Sequence, residues 1–305
     1  MQTHRSPLLT VAVPVSTQSR AHLAAAIASV IRQDTDRWKL VVIDDAVGES
    51  TYEELVSSFG DERITYVRNR GEHGIGAAWN ACIEAATTDL FSILHADDEL
   101  LPHYVRSMHD LALHRPDGAM YFCGASIIDD DGNPMWSFAD AVKRVIQPGG
   151  RDVCLVGERA ISRLMIGDFI MCPTVVYRRS AIGGRRFSTA HRFVLDIDFI
   201  VGALFDGARI YGTRNEGYRY RRHPAAATAV FDRSGYRFAE ETEFHRMVER
   251  RAVENGFHRA AFAARVMFCV RGNIVVSMAK DVLAGRLRAA RAKSRMLRSA
   301  RGFPV

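Results

Sequence analysis

Cysteine is scarce and shows no pattern in this chain of 305 residues. No two cysteines are close enough in sequence to form a Cys-x-x-Cys pair, which excludes a zinc cluster or a dithiol redox motif of that kind. Unpaired cysteines in a chain of this length are typical of a reducing compartment, where they pack as small apolar groups. The cysteines are Cys82, Cys123, Cys154, Cys172 and Cys269.

Long apolar runs are also missing. The apolar run over residues 8–15 is short and contains Pro14, so it predicts a strand rather than a signal segment. The best late candidate for a membrane span, residues 260–279, is interrupted by Arg265 and Arg271. We therefore expect a soluble protein that is cytoplasmic, or at most peripheral at a membrane.

Positive charge is concentrated in one late segment. The formal net charge is +6, but the residues from Lys280 to Arg301 include eight basic side chains and a single acid, Asp281. Without this segment the chain is close to neutral, so its basicity does not predict a nucleic-acid partner. The eight basic residues are Lys280, Arg286, Arg288, Arg291, Lys293, Arg295, Arg298 and Arg301.

Short apolar runs alternate with helix-like segments through the first 125 residues. This alternation predicts an α/β protein with a Rossmann-like, mostly parallel sheet flanked by helices. Ligands bind at the carboxyl ends of such strands, and the pairs Asp44-Asp45 and Asp97-Asp98 directly follow two of them. We predict strands at 10–15, 38–43, 64–67 and 90–94, and helices at 21–32, 52–59 and 77–86.

The second half of the chain is less regular. Loops and a short helix are expected between residues 134 and 172, and helices beyond Pro224. Leu283, Leu287, Ala290 and Leu297 recur at near-heptad spacing between arginines, which predicts one basic amphipathic helix. Such a helix could adsorb to an anionic membrane, form a homodimer, or pack loosely as a solvated tail. We predict strands at 120–128, 174–177, 209–211 and 216–220, and a helix at 196–205.

An acidic run directly after a strand has two interpretations. One or two carboxylates can hold Mg²⁺ or Mn²⁺ on a diphosphate, where the metal acts as a Lewis acid. Alternatively, an Asp before a helix caps it. The spacing allows Asp97 to bind a metal while Asp98 caps the helix that follows.

Five segments, taken in order, resemble family-2-type glycosyltransferases of the GT-A fold. The resemblance implies an inverting enzyme that uses a nucleotide-sugar donor, most simply a UDP-sugar, with Mn²⁺ or Mg²⁺. It also implies a hydroxyl acceptor, which could be a glycan, a lipid-linked molecule or a small molecule. The five segments are TVAVPVS (10–16), ASVIRQD (28–34), LVVIDD (40–45), GIGAAWN (74–80) and FSILHADDELLP (91–102).

The same resemblance assigns the donor side of the site. Val15 and Asp45 would hold the nucleobase, although Asp45 could instead cap the loop before residues 51–59. Gly74 and Asn80 belong to the donor-binding helix start, and Asp97 would bind the metal. His95 stands where the family usually has Asp; it could contact a ribose hydroxyl or be a structural histidine, and its neutral ring could weaken metal binding.

On the acceptor side, the resemblance makes Asp196 the general base that removes the hydroxyl proton. Asp198 could serve instead or only cap the helix, and Leu195 replaces a usual Glu. His223 would complete the metal shell or contact the diphosphate beside Arg222, unless it is merely exposed at a strand end. Further candidates for the acceptor pocket are Trp136, Asp168, Phe169 and Cys172.

The predicted organisation is a GT-A catalytic domain, residues 1–230, and a helical basic C-terminal extension, residues 231–305. Residues 1–105 would form the nucleotide-sugar-binding half and residues 106–230 the acceptor-side half. One alternative is a catalytically silent binding protein, because His95 and Leu195 stand where the family usually has acidic residues. Another is a nucleotidyltransferase, although residues 16–22 offer only Arg20 for a phosphate loop.

Overall fold

The structure is a computed structural model that describes residues 6–135, 152–223, 231 and 235–299. Trp136 lies outside the described residues. The strands are β1 (Leu9–Val15), β2 (Trp38–Asp44), β3 (Ile64–Arg68), β4 (Leu90–Ile93), β5 (Glu99–Leu100), β6 (Gly118–Ile128), β7 (Asp152–Leu155), β8 (Val176–Arg178) and β9 (Arg209–Arg221).

The helices cover both faces of the sheet and continue to the end of the described chain. They are α1 (Arg20–Ile31), α2 (Tyr52–Ser57), α3 (Ile75–Ala85), α4 (Tyr104–His114), α5 (Gly157–Ile166), α6 (Arg179–Ile182), α7 (Leu195–Phe205), α8 (Tyr236–Glu254), α9 (His258–Val266), α10 (Phe268–Leu283) and α11 (Leu287–Ser299), with a 3-10 turn at Cys172–Thr174.

The strands described form one nine-stranded sheet in the order β3-β2-β1-β4-β8-β6-β9-β5, with β7 also paired to β9. The first four strands in this order are mutually parallel, as predicted. Beyond them the sheet is mixed, because β8 runs antiparallel to both β4 and β6 while β6 and β9 are parallel. The carboxyl ends of β2 and β4 therefore lie on either side of β1 at one edge.

Alternation along the strands produces two hydrophobic cores. In β1, Ala12 joins the core under α3, α5 and α7, whereas Val11 and Val13 join the core under α1 and α4. In β2, Val41 joins the first of these cores and Leu40 joins the second. Strands buried on both faces read as unbroken apolar runs, which is why the sequence pattern predicts them correctly.

One strand prediction was wrong and one strand was missed. The segments 209–211 and 216–220 form one continuous strand, β9, and residues 152–155 form β7, which was not predicted. The polar, partly exposed segment Thr213–Asn215 resembles a turn in sequence, but β6 pairs along both sides of it with register shifts near Gly124. A Cβ at Gly124 would lie 2.6 Å from the Arg214 carbonyl oxygen, so this irregular pairing needs glycine there.

The predicted single basic helix over Leu283–Leu297 was also wrong. The chain turns at residues 284–286, where Gly285 has φ +72°, and α10 and α11 form a helical hairpin. Helices α8 and α9 belong to the main body instead, because Phe244 and Ala264 lie in the same buried cluster as α5 and α7. The division at residue 230 stays a prediction, since α8 and α9 help to build the core of the preceding residues.

Candidate active site

The loop after β4 meets the end of β9 at the carboxyl edge of the sheet. Strand β5, which follows the loop, pairs antiparallel with β9 at Glu99 and Arg219. This pairing brings Asp97 beside His223, 126 positions away, with 2.9 Å between Asp97 Oδ2 and His223 Nε2. The structure thus unites two residues that the sequence assigned separately to a metal site.

Asp98 is an internal anchor and not the helix cap that its spacing allowed. It is 1% exposed, and it accepts hydrogen bonds from the Tyr218 hydroxyl (2.9 Å) and the Arg221 backbone N–H (2.7 Å). Burial, reinforced by the neighbouring Asp97 carboxylate, raises the pKa of Asp98 well above its usual value. The N-cap position of α4 is His103, so the role of Asp98 is to fix the loop that presents Asp97.

Arg221, which was not among the residues selected from the sequence, holds the same loop through its guanidinium. It is 4% exposed, and its Nε donates to the Asp97 carbonyl oxygen at 2.8 Å. Its other nitrogens donate to Glu99 (2.6 Å) and to the carbonyl oxygens of Asp129 and Asp130. The neighbouring Arg222, which we selected, donates its backbone N–H to the Ile128 carbonyl oxygen, and its predicted contact with the donor stays a prediction.

His95 occupies a shielded position in the same loop. Its ring stacks on Trp79 with 5.8 Å between centroids, and its Nδ1 lies 3.7 Å from Asp98 Oδ2. Its Nε2 is shielded from solvent and has no hydrogen-bond partner among the residues described. Burial lowers the pKa of His95, and the charges of Asp97 and Asp196 oppose that shift. One ring nitrogen of His95 is therefore uncommitted, and a ligand atom of the ring lies within 4.8 Å of a carboxylate oxygen of Asp97.

These side chains have the chemistry of a divalent-cation site. Ligand atoms of His95, Asp97 and Asp98 lie within 4.8 Å of one another. Because both Asp98 oxygens already accept protein hydrogen bonds, Asp97, His95 and His223 are the groups that could hold a cation. A carboxylate with imidazole nitrogens fits Mn²⁺ well, whereas Mg²⁺ would rely on the carboxylate and on phosphate oxygens.

Asp196 and Asp198 lie in the first turn of α7 but in different surroundings. The Cys172 thiol hydrogen-bonds to Asp196, and the Asp196 charge acts on His95. Asp198 instead faces His191, with 3.6 Å between Asp198 Oδ2 and His191 Nδ1, and burial raises its pKa. Among the two carboxylates that we selected, Asp196 is the one that shares the surroundings of the candidate metal site.

Asp45 organises a second part of the edge, at the end of β2. Its Oδ1 accepts from Asn69 Nδ2 (2.6 Å) and pairs with His73 Nδ1 (3.0 Å), and its Oδ2 accepts from the Gly74 N–H at 3.0 Å. The alternative that Asp45 caps the loop before α2 was wrong. The carboxylate ties β2 to the loop before α3. Asn69 and His73 were missed, although both lie in the short segment between β3 and α3.

Val15 and Gly74 support this arrangement through the backbone. The Val15 carbonyl oxygen accepts the Asp45 N–H at 2.7 Å, while the Val15 side chain is buried in the core. Gly74 precedes α3 with φ +119°, a conformation that side chains rarely adopt, and donates to Asp45. The predicted nucleobase contacts of Val15 and Asp45, and the donor contact of Gly74, stay predictions.

Asn80 makes a long-range contact that the sequence did not suggest. Its Nδ2 donates to the Phe187 carbonyl oxygen (2.9 Å), and its Oδ1 accepts the Phe187 N–H (2.8 Å). Both ends of the amide thus bind α3 to the segment that leads to α7. Donor binding by Asn80 stays a prediction, and its position is that of a structural clamp.

Three acceptor-side candidates also have clear positions. Phe169 is 6% exposed and belongs to the hydrophobic core near Phe122, so it does not present an open ring to a sugar. Asp168 Oδ1 accepts the Ile170 N–H at 3.0 Å. Cys172, by contrast, lies directly against Asp196.

The fold defines the class of the protein. A parallel β3-β2-β1-β4 group, continued by a mixed sheet and carrying an acidic loop after β4, is the architecture of the GT-A proteins that it resembles. Residues 10–182, more than half of the chain, match the family described as Glycosyl transferase family 2. The chain belongs to that family.

Two of the relatives have names that describe glycosyltransferases of bacterial biosynthesis. The colanic acid biosynthesis glycosyl transferase WcaA of Escherichia coli is 34% identical over 102 residues, which cover 32% of this chain and 35% of that protein. The teichuronic acid biosynthesis glycosyltransferase TuaG of Bacillus subtilis is 26% identical over 187 residues, 59% of this chain and 66% of that protein. The match spans about a third of the first relative and just under two thirds of the second.

Solved structures share the fold. S. aureus TarS in complex with UDP-GlcNAc aligns with a TM-score of 0.59 at 14% identity, covering 96% of this chain and 90% of that one. The mannosyltransferase PcManGT of Pyrobaculum calidifontis, in complex with GDP-Man and Mn²⁺, aligns with a TM-score of 0.57 at 16% identity, covering 96% and 80%. At these identities the likeness is one of fold.

Proposed function

We propose that this family-2 glycosyltransferase moves a sugar from a nucleotide-sugar donor to a hydroxyl acceptor with inversion at the anomeric carbon. The observation that carries the proposal is that Asp97 lies beside both His223 and His95, while the charge of Asp196 also acts on His95. A metal-binding carboxylate and a second carboxylate on the acceptor side are what a single displacement requires. Membership of the family supports a nucleotide-sugar donor, as do the nucleotide sugars with which TarS and PcManGT are described.

The donor side of the proposal rests on two groups of residues. Asp97, with His95 and His223, would hold Mn²⁺ or Mg²⁺, and the bound ion would neutralise the departing diphosphate as a Lewis acid. Asp45, with the backbone at Val15 and Gly74, would hold the nucleobase. The Arg221 contacts with the Asp97 carbonyl oxygen and with Glu99 keep the loop in place, so the Asp97 carboxylate is positioned before the donor binds.

The acceptor side of the proposal rests on Asp196. Its carboxylate takes the proton of the acceptor hydroxyl while the oxygen forms a bond to the anomeric carbon. The bond between that carbon and the diphosphate oxygen breaks, and its electron pair leaves with the nucleoside diphosphate. Cys172 donates a hydrogen bond to Asp196, which orients the carboxylate.

We propose a UDP-sugar as the first donor to test, with GDP- and dTDP-sugars next. TarS is described with UDP-GlcNAc and PcManGT with GDP-Man, so both nucleotides occur on this fold. A thermal-shift screen of UDP-, GDP- and dTDP-sugars with Mn²⁺ would identify the donor, because a ligand that binds the native state raises the unfolding temperature.

The base is tested by comparing Asp196→Asn with the matched variant Asp198→Asn in the same turn of α7. We expect Asp196→Asn to lower turnover by about a hundredfold or more, in line with the loss of a general base, while donor affinity stays the same. Asp198→Asn should retain most of the activity. Equal turnover of wild type and Asp196→Asn would remove Asp196 from the mechanism.

The metal site is tested by calorimetry of donor binding with and without Mn²⁺. Asp97→Asn should abolish the metal-dependent part of the affinity, and His223→Gln should weaken it. Metal-dependent binding that persists unchanged in Asp97→Asn would contradict the assignment. Metal-dependent donor binding with neither transfer nor donor hydrolysis would favour the silent binding protein, and release of pyrophosphate from a nucleoside triphosphate would favour the nucleotidyltransferase.

A further inference from the structure

Helix α10 presents an apolar face to solvent. Phe268 is 66% exposed, Val276 55% and Leu283 88%, although large apolar side chains are normally buried. The exposed apolar positions recur every three or four residues, so they lie along one side of the helix. These positions are Phe268, Gly272, Val275, Val276, Ala279, Val282 and Leu283.

Helix α11 presents a basic face to solvent. Arg288, Arg291 and Arg295 are exposed at the spacing of one helix turn, whereas Ala290 and Lys293 on the opposite side are buried. No acidic side chain lies between residues 282 and 297. The outer side of α11 is therefore a row of arginines without nearby compensating acids on its own helix.

The hairpin tip, residues 282–288, combines the two properties. Every residue in it is exposed, including Leu283 at 88% and Leu287 at 56%, and Arg286 and Arg288 lie beside them. Exposed leucines next to arginines are unusual on a surface that contacts only water. The hairpin tip therefore places exposed leucines and arginines side by side.

A buried ion pair holds the two helices together. Lys293 Nζ donates to Asp281 Oδ2 (2.8 Å) and to Ser277 Oγ (2.7 Å), and both charged side chains are about 5% exposed. Phe238 of α8 packs with Val270 and Ile274 beneath this pair. The apolar and basic faces are thus parts of one rigid hairpin attached to the body of the protein.

We propose that the hairpin α10–α11 docks on an anionic bilayer surface. Leu283 and Leu287 enter the headgroup region, and Arg288, Arg291 and Arg295 bind lipid phosphates. Apolar insertion and attraction to anionic lipid each contribute to interfacial binding, and only a bilayer offers partners for both faces. A second copy of this chain would bring arginine rows together, and a nucleic acid would leave the leucines without a partner.

The same features favour lying on the membrane over crossing it. Among the described residues, His258–Leu283 is the one helical stretch that is long and apolar enough to span a bilayer. Of its most apolar 18-residue segment, 39% is buried in the protein. The stretch bends at Met267, where φ is 50°, and it contains Asp281, which pairs with Lys293 of the next helix. Spanning would carry this ion pair into the hydrocarbon, which is costly.

The test is sedimentation of the full chain with vesicles of phosphatidylcholine alone or mixed with phosphatidylglycerol. We expect binding to the anionic vesicles, weakened by high salt, and little binding to the neutral ones. The double variant Leu283→Asp with Leu287→Asp should lose at least about tenfold in affinity, because it removes apolar insertion and adds repulsion. The triple variant Arg288→Ser, Arg291→Ser and Arg295→Ser should lose the preference for anionic lipid.

Matched controls are Val253→Asp and Arg250→Ser, which change exposed residues of α8 outside the hairpin, and they should bind like wild type. Thermal unfolding of every variant establishes that the hairpin variants remain folded. The proposal is overturned if the Leu283→Asp, Leu287→Asp variant binds anionic vesicles as strongly as the wild type does. It is also overturned if the wild type resists alkaline extraction from the vesicles, because that resistance indicates a spanning helix. A dimer that is lost in the same variant, or RNA binding that depends on the arginines alone, would overturn it as well.

Discussion

The Glu240 carboxylate accepts the backbone N–H of Val194 at 3.0 Å, and through this contact α8 caps the N-terminus of α7. It also accepts the N–H groups of Arg192 (2.9 Å) and Phe193 (2.5 Å). The first N–H groups of a helix have no partner within the helix, and a carboxylate there also interacts favourably with the helix dipole. Helix α7 carries Asp196 two residues later, so a residue beyond position 230 orients the proposed base.

Glu240→Gln should lower turnover several-fold and leave donor affinity unchanged, because it weakens the support of α7 and does not touch the donor side. Loss of a cap costs on the order of 1 kcal/mol of stability. Steady-state kinetics with separate kcat and donor KM values would check this. Glu243→Gln, an exposed change on the same helix, is the control. A rise in donor KM with unchanged kcat would contradict the positioning role.

The Glu240 carboxylate should make the free energy of unfolding depend on pH in the acid range. Burial raises the pKa of Glu240, but the three backbone N–H groups outweigh it, so the pKa is lower than usual. The stabilisation is therefore complete above the unfolded value of about 4.3 and is lost as the pH falls through the lower folded value. Urea unfolding of wild type and Glu240→Gln between about pH 6 and pH 3 should show curves that converge at the acid end.

Gly76→Ala should destabilise the protein, because the start of α3 lies directly against the Ser188 backbone. A Cβ at Gly76 would clash with the Ser188 carbonyl oxygen and lie 3.0 Å from the Leu195 side chain. Overpacking of this kind costs about 1–3 kcal/mol. Gly272→Ala in α10 is the matched control, since a Cβ there meets nothing within 4 Å. It should stabilise by about 0.5–1 kcal/mol in denaturant unfolding.

Asn80→Ala separates a structural clamp from a donor ligand. Without the amide, the Phe187 N–H and carbonyl oxygen lose their partners, so we expect a loss of about 1–3 kcal/mol in unfolding free energy. Donor affinity measured well below the unfolding temperature should change little if Asn80 is only a clamp. A large loss of donor affinity with unchanged stability would restore the role that the family resemblance assigned to Asn80.

His245 should make stability depend on pH near neutrality. Burial between α8 and α9 lowers the pKa of His245, opposed by its contact with the Ala264 carbonyl oxygen at 3.1 Å. Below about pH 6.5 the His245 side chain binds a proton more readily in the unfolded chain than in the folded chain, so the free energy of unfolding falls as the pH drops. The slope from this group is at most about 1.4 kcal/mol per pH unit. In urea unfolding, His245→Gln should reduce the slope of unfolding free energy against pH, whereas the exposed control His258→Gln should leave that slope as in the wild type.

The parallel half of the sheet could be predicted because its signals are local. Continuous apolar runs define β1, β2 and β4, and Asp45 and Asp97 come directly after two of them, so the sheet edge follows from parallel pairing alone. The family resemblance then adds chemical roles to those positions. A turn, a helix cap or a strand end is specified by a few neighbouring residues.

The second half depends on contacts between distant residues, which have no such local signal. The pairing of β5 with β9 decides that Asp98 meets Tyr218 and is not a cap, and that Arg221 rather than Arg222 holds the loop. The polar segment in the middle of β9 resembles a turn because strand pairing, not side-chain pattern, keeps it extended.

By itself, the sequence determined the parallel sheet, the acidic edge and membership of a glycosyltransferase family, since each depends on residues close together in the chain. Only the tertiary structure decided which side chains meet there. It joined Asp97 to His223 and attached Glu240 to the helix of Asp196, and it turned the basic C-terminal segment into a hairpin with an apolar face. These relationships arise when distant elements bury a common core, and burial depends on the whole chain.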